Sequence, residues 1–483
     1  MKYLKNVLLV IIILSFTVVL TGQNSIDQII GNWTGFLKIK KMKINLIFKI
    51  SQNTNGKLVA TMDIVEQGVR DMKVNKIAYN DSILHMEVNK LHSGFDGKIS
   101  KDGKFLNGEW NLPGMNVLLK LKKVKSVVNN QKRPQDPVAP FPYKEEEVSY
   151  TNDIANITLS GTLTTPNSEG PFPAIILITG SGQQDRNETV MNHRPFLIIA
   201  DHLTRNGFAV LRVDDRGIGG SSGNFKDATI LDFASDVMAG VNFLIIRKKI
   251  NSKYIGLLGH SEGGLVAPIV AARSKNIAFV ILMAGPGISG EELILLQNIY
   301  ISHALGKKKR LIQINNDFSK LIFNIIKHEN KNKIALKNIQ MAAKKHINNL
   351  NMEDRDLLNI KVDDQSFIKS VQRFLSPLYR FSLFYNPKIN LMKVKCPVLA
   401  INGSKDLIVP PIENLNAIER ALKIGGNQHY TINKFSGLNH GFQTAKTGLP
   451  MEYGSIDETI SPKVINFITE WMKKTILELK KDE

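Results

Sequence analysis

The sequence predicts an α/β fold, a mostly parallel sheet with helices on both faces, preceded by a small antiparallel β domain. Three observations carry this expectation. From Glu147 onward, short unbroken apolar runs alternate with amphipathic stretches at helical spacing, the pattern of a parallel sheet covered on both faces. Before it, from Gly31 to about Val124, apolar and polar residues alternate in short runs broken by Gly, Asn and Asp, as in half-exposed antiparallel strands. Between the two lies a polar stretch holding Pro134, Pro137, Pro140 and Pro142. At 483 residues the chain exceeds one ordinary core, so more than one folding unit is expected. Its single cysteine, Cys396, rules out internal disulfides and any multi-cysteine metal site.

The elements are justified in chain order. The opening Met1-Lys2-Tyr3-Leu4-Lys5 is followed by an apolar run from Val7 to Leu20. Two lysines before a run shorter than the ~20 apolar residues of a spanning helix are the pattern of a secretory signal peptide. We expect it to occupy residues 1–22, with cleavage around Thr21-Gly22-Gln23 and export to the periplasm or the medium. An uncleaved anchor is the alternative, and no cysteine follows the run to serve as a lipoprotein anchor. Residues 23–125 read as a small β barrel or sandwich. Strands such as Lys43–Ile50 and Leu58–Ile64 are separated by turn signals of the Asn55-Gly56 and Asp102-Gly103 kind. Its opening Gly31-x-Trp33-x-Gly35 resembles the first strand of lipocalin-like domains. Residues 126–142 read as a proline-rich linker, since proline forbids helix and holds the chain extended.

Residues 143–483 carry the α/β pattern: a hairpin over Val148–Leu163, then buried strands at Ala174–Ile178, Ala209–Val213, Tyr254–Leu258, Ala278–Met283 and Val398–Asn402. Helices are expected at Arg194–Arg205, Ile230–Arg247, Gly263–Arg273 and Pro462–Glu478. About 287–390 is almost wholly helical in period, and a helical insertion between two sheet strands reads as a lid over the sheet's carboxyl edge.

The formal net charge of +20 is unevenly placed. Asn24–Lys125 and Gly287–Asn390 each hold 17 basic and 9 acidic residues, so the rest of the chain is almost neutral. Without interleaved aromatics or arginine clusters, these flanks do not form a nucleic-acid groove, and no nucleic-acid partner is expected.

The chemistry concentrates at Tyr254-Ile255-Gly256-Leu257-Leu258-Gly259-His260-Ser261-Glu262-Gly263-Gly264. Here Gly259-x-Ser261-x-Gly263 joins a buried strand to a helix, the context in which a serine is lifted above a sheet edge on a tight turn as a nucleophile. A serine hydroxyl needs a base, and the base an orienting acid. Downstream, Asp406 follows the strand Val398–Asn402, and His440 sits in the glycine-flanked loop Gly437-Leu438-Asn439-His440-Gly441. Glu413 and His429 are the rivals, the first expected in a helix and the second beside an edge strand. His303, His328 and His346 fall in the charged insertion, and His260 reads as a packed group inside the elbow. The oxyanion donors are expected to be the amides of Glu262 and Ser181, with Gly182 as the alternative to Ser181. Arg212–Gly223 resembles a dinucleotide loop, but Ser222 stands where its third glycine would fall. Asp215-Arg216 there reads as a structural ion pair. Neither Walker A nor H-E-x-x-H occurs, so no cofactor and no metal are expected.

Three segments, Gly180–Arg186, Asp214–Gly223 and Gly259–Gly264, together resemble the α/β-hydrolase superfamily, and more narrowly bacterial carboxylesterases of the EstD type. The resemblance runs from about Tyr143 to Leu477. It implies hydrolysis of carboxylic esters with short acyl chains, a small-molecule ester as partner, an extra N-terminal domain and a helical insertion. Thr179 departs from the His-Gly that begins the oxyanion loop in many relatives, which leaves the second donor open. A serine peptidase acting on short peptides is the alternative. Two apolar-aromatic stretches of the insertion, Ile288–Tyr300 and Phe374–Tyr385, are expected to face Ser261, with Leu378, Tyr379, Phe381 and Phe384 lining an acyl pocket.

Overall fold

The computed structural model describes residues 26–39, 42–64, 69–112, 115–125, 133–358, 360 and 362–481. The expected signal segment 1–22 and the first part of the expected linker, 126–132, lie outside the described residues. The chain divides into two compact units, one within residues 1–129 and the other comprising 130–483 together with the undescribed 66–68.

The first unit is one antiparallel sheet of nine strands: β1 (Gly31–Ile39), β2 (Met42–Gln52), β3 (Leu58–Ile64), β4 (Val69–Lys73), β5 (Lys76–Asn80), β6 (Ile83–Val88), β7 (Ser93–Ile99), β8 (Phe105–Leu112) and β9 (Met115–Val124). Their order is β4-β3-β2-β1-β9-β8-β7-β6-β5. The two outermost strands, β4 and β5, follow one another in the chain, and the Val74 amide between them bonds the Ala60 carbonyl of β3 at 3.0 Å. The sheet therefore curls on itself as a half-barrel instead of splitting into a sandwich. Its inner face packs Trp33, Phe48, Phe95 and Trp110 with no more than 2% exposure, and the Trp33 indole donates to the Ile29 carbonyl at 2.7 Å. Large aromatic rings at alternate positions bury the most apolar area per residue ordered.

The second unit holds an eight-stranded sheet: β10 (Tyr143–Asn152), β11 (Ile157–Pro166), β12 (Phe172–Ile178), β13 (Ala209–Val213), β14 (Ile250–His260), β15 (Ile277–Met283), β16 (Val398–Gly403) and β17 (Tyr430–Phe435). The order is β10-β11-β13-β12-β14-β15-β16-β17, with β10 and β11 antiparallel and the six strands from β13 to β17 mutually parallel. The unbroken apolar strands follow from burial on both sides, because successive side chains point to opposite faces. In β12, Ala174, Ile176 and Ile178 enter one core and Ile175 and Leu177 the other. The first core is closed by α2 (Ile230–Ile245), α3 (Gly263–Ala271) and α11 (Pro411–Ile424), the second by α1 (Pro195–Arg205) and α12 (Pro462–Lys481).

Between β15 and β16 the chain forms α4 (Gly290–Ala304), α5 (Lys309–His328), α6 (Asn332–Asn349), α7 (Met352–Leu358), α8 (Gln365–Phe374), α9 (Pro377–Phe384) and α10 (Lys388–Leu391). These helices have an apolar core of their own around Phe318, Phe323, Ile326, Ile339 and Leu383. The described part of the expected linker is not a free spacer. Arg133 donates to the carbonyls of Met191, Asn192, Gly454 and Ile456. Gln135 donates to the Ile460 carbonyl at 2.6 Å and accepts from the amides of Thr459 and Ile460. The segment is not extended as expected: it turns at residues 134–136, where the Asp136 amide bonds the Arg133 carbonyl at 3.1 Å, and its polar residues tie it to two loops of the second unit.

Candidate active site

The site is built at the carboxyl ends of the parallel strands. β14 ends at His260 and α3 begins at Gly263, which leaves Ser261 on the turn with φ +51°. The left-handed region disfavours a residue with a Cβ, so this serine is held by its surroundings. Its amide bonds the Met283 carbonyl of β15 at 2.9 Å. The flanking glycines are required by contact: a Cβ on Gly259 would stand 2.1 Å from the Gly263 carbonyl oxygen, and one on Gly263 would stand 2.3 Å from that of Ile178. Ser261 lines a cavity of about 440 Å³.

Asp406 follows the end of β16 and is 1% exposed. Its Oδ1 accepts the amides of Ile408 and Val409, both at 2.8 Å. Its Oδ2 bonds Nδ1 of His440 at 2.8 Å. His440 lies in the loop after β17 and lines the same cavity as Ser261. The rivals stand elsewhere: Glu413 is in α11 and accepts from the Tyr300 hydroxyl at 2.8 Å, and His429 immediately precedes edge strand β17. His303, His328 and His346 belong to α4, α5 and α6.

Ser181 and Glu262 both line the main cavity, whereas Gly182 faces a smaller one of about 50 Å³ behind the turn. The Gly180 amide is already engaged, donating to Glu188 Oε1 at 2.6 Å. Burial pushes the carboxyl of Asp215, on the smaller cavity, up to about 7 despite hydrogen bonds from Thr179 and Gln184. Burial and the charge of Asp215 push the Glu262 carboxyl up to about 7 as well.

The ion pair expected between Asp215 and Arg216 does not form. Arg216 pairs with Asp236 at 2.8 Å, while Asp215 accepts the Thr179 hydroxyl at 2.7 Å and the Gln184 amide at 2.9 Å. Adjacent residues in an extended turn point apart, so their charges serve different neighbours. Asp214 instead pairs with Arg186 at 2.8 Å and accepts the Arg186 and Gly220 amides. Two of the three signature segments thus interlock through one carboxylate. The third is joined to the first by His260, whose Nδ1 lies 2.8 Å from Glu188 Oε1 and whose Nε2 lies 3.2 Å from the His440 carbonyl oxygen. Sequence reasoning missed Glu188, which is 3% exposed and lies 72 residues before His260.

The wall facing Ser261 comes from the helical insertion, with Leu293, Ile294 and Gln297 of α4 and Tyr379, Ser382 and Leu383 of α9. Of the four expected acyl-pocket residues only Tyr379 lines the cavity. Leu378 and Phe381 pack into the core of the sheet domain, and Phe384 packs against the core of the insertion. The helical phase decides this: positions 378 and 381 share one face of α9, while 379, 382 and 383 share the next. Among the described residues no cluster of three or more His, Cys, Asp or Glu side chains is placed to hold a metal ion.

The strand order, the strained serine and the His–Asp pair define an α/β-hydrolase. The sequence pattern of the family described as Serine aminopeptidase, S33 matches residues 196–444, just over half of the chain, and the chain belongs to that family. It is 33% identical over 183 residues to Esterase EstD of Thermotoga maritima, a match that spans 37% of this chain and 42% of EstD. Among solved structures, the Pyrococcus furiosus esterase Pf2001 is 17% identical, covering 69% of this chain and 93% of that one with a TM-score of 0.40. Est1E from Butyrivibrio proteoclasticus, solved with ferulic acid bound, is 19% identical, covering 68% and 98% with a TM-score of 0.37.

Proposed function

We propose that the protein is an exported serine carboxylesterase with Ser261 as nucleophile, His440 as base and Asp406 as its orienting acid. The observation that carries the reading is the strained Ser261 on a cavity it shares with an imidazole whose Nδ1 is engaged by buried Asp406. Ser261 Oγ attacks the ester carbonyl as His440 Nε2 takes its proton. The amides of Ser181 and Glu262 hold the oxyanion. His440 returns the proton to the departing alcohol, leaving an acyl-enzyme that water cleaves by the same steps reversed. The helical insertion acts as a lid whose Leu293, Ile294 and Leu383 contact the acyl chain.

The family's description makes an aminopeptidase the second reading, and carboxylate use favours the ester. An N-terminal ammonium needs an ionised carboxylate to receive it. Among the described residues, the only carboxylates lining the cavity are Glu188 and Glu262. Glu188 is taken by the Gly180 amide and His260, and Glu262 is held near half-protonation at neutral pH. Arg373 on the same wall repels a cation.

A fluorophosphonate probe should label the wild type and leave Ser261→Ala unlabelled; labelling of that variant would remove Ser261 as nucleophile. On matched substrates, kcat/KM for a butyryl ester should exceed that for any aminoacyl anilide by at least about 100-fold, roughly 2.7 kcal/mol. An anilide within about tenfold of the best ester would favour the peptidase. Export predicts a mature chain beginning near Gln23, and protein recovered from the envelope or medium with residues 1–20 still attached would support an anchor instead.

A further inference from the structure

We propose that His260 is an imidazolium that, paired with Glu188, positions His440. The inference rests on the reading of His440 as the base, and it follows from counting donors and acceptors. A neutral imidazole has one N–H donor and one acceptor nitrogen. Both ring nitrogens of His260 face oxygen atoms, Glu188 Oε1 at 2.8 Å and the His440 carbonyl at 3.2 Å. The carbonyl can only accept. Glu188 Oε1 receives the Gly180 amide at 2.6 Å, and as a carboxylate, which has no proton to give, it accepts from His260 too. Two acceptors demand two N–H groups, and the ring that has both is the cation.

The surroundings support that charge. Glu188 is 3% exposed and the His260 side chain 15%, so an uncompensated charge on either would be costly. The groups facing His260 are Glu188 from the loop after β12, His440 from the loop after β17 and Asp406 from the turn after β16. Burial pulls the His260 pKa down, but the charge and hydrogen bond of Glu188, the His440 carbonyl and the charge of Asp406 together raise it.

The pair connects three parts of the site. Glu188 fixes the Gly180 amide, and with it the start of the turn that carries Ser181. His260 immediately precedes Ser261, so whatever it holds is held in register with the nucleophile. What it holds is the backbone of His440, whose ring centroid lies 5.0 Å from its own. His260 is therefore a positioning residue acting through the main chain of the base.

The test begins with histidine ¹⁵N spectra of the wild-type protein, with the His260 signal assigned by H260Q. Both ring nitrogens should still be protonated at pH 7, above the ordinary histidine pKa of about 6.5. In H260Q, kcat should fall by about 10²-fold with KM little changed, because displacing a reacting group by about 1 Å costs that much. In E188Q the charge that raises the His260 pKa is gone. Above the lowered value the neutral ring can donate through only one nitrogen, so kcat should gain a limb that falls as pH rises through the neutral range, a limb the wild type lacks. A neutral His260 in the wild-type spectrum at pH 7 would overturn the proposal, as would H260Q with wild-type kcat and pH profile. The spectrum needs no turnover, so it stands even where Ser261 or His440 proves not to be catalytic.

Discussion

Replacing Asp406 by asparagine tests the catalytic reading through a single proton. The two backbone amides of Ile408 and Val409, each 2.8 Å from Oδ1, fix how the new side-chain amide must sit. They are donors, so the carbonyl oxygen of the introduced asparagine turns to them and its NH₂ is left facing His440 Nδ1. That nitrogen must then accept, which puts the ring's only proton on Nε2, the atom that should take the proton from Ser261. The base is trapped in the wrong tautomer while every heavy atom keeps its place. The equivalent change in the serine-protease triad lowers kcat about 10⁴-fold, or about 5 kcal/mol of transition-state stabilisation. We expect a loss of that order in kcat/KM for p-nitrophenyl butyrate. The melting temperature should stay nearly constant, since shape and hydrogen-bond count are kept. Asp406→Ala, by contrast, strands two buried amides at about 1–3 kcal/mol each and should lower the melting temperature clearly. D406N activity within about tenfold of wild type would refute the tautomer argument. A large fall in its melting temperature would show that the amide had not settled as the two donors require.

Gly263→Ala places a Cβ 2.3 Å from the Ile178 carbonyl oxygen and 2.8 Å from that of Thr179; overpacking of this kind costs about 1–3 kcal/mol, so both melting temperature and probe labelling should drop. His193 has its pKa lowered to about 4 by burial and then by the charge of Arg133, and is neutral in the fold. The unfolded chain, with a value of about 6.5, binds that proton first, so stability is full above pH ~6.5 and falls by about 3 kcal/mol on descending to pH 4. Urea unfolding of wild type against His193→Gln across this range should show that slope only in the wild type. Tyr379→Ala should alter acyl-length preference at nearly unchanged stability, whereas Phe381→Ala, packed against the sheet core, should lower stability by about 3 kcal/mol with preference kept. The reverse outcome would reassign the helical faces of α9.

The parts of the site legible in the sequence are those whose geometry is set within a few residues. Gly259-x-Ser261-x-Gly263 forces a tight turn by local contact, and a turn after a buried strand has one place to be. Asp406 and His440 were legible because each follows a strand of the same parallel sheet, so both arrive at the same edge. What stayed hidden depends on phase or on distant pairing. A helix carries apolar residues on whichever faces are covered, and α9 is covered on more than one side. Composition therefore could not distinguish Tyr379, on the cavity, from Leu378 and Phe381 in the core and Phe384 against the insertion. Asp214 and Arg186 are 28 residues apart, and Glu188 and His260 are 72 apart; no short motif records such pairs. Arg133 looked like part of a spacer because its four carbonyl partners belong to loops that only the fold brings to it.

A common device runs through these hidden contacts. Loops at the carboxyl edge of a parallel sheet leave the strand ladder, so their amides need other acceptors. Here carboxylates supply them. Asp406 takes the amides of Ile408 and Val409, Glu188 that of Gly180, Asp215 that of Gln184, and Asp214 those of Arg186 and Gly220. Each acid that fixes a loop in this way has lone pairs committed to the backbone and is less able to serve as a counter-ion for substrate. The acids around Ser261 are thus numerous in the sequence yet scarce to an incoming ligand. Glu188 shows the consequence: it lines the cavity, but its Oε1 is committed to the Gly180 amide and His260, and this is the physical argument by which the proposed esterase reading is preferred to a peptidase that must receive a free ammonium.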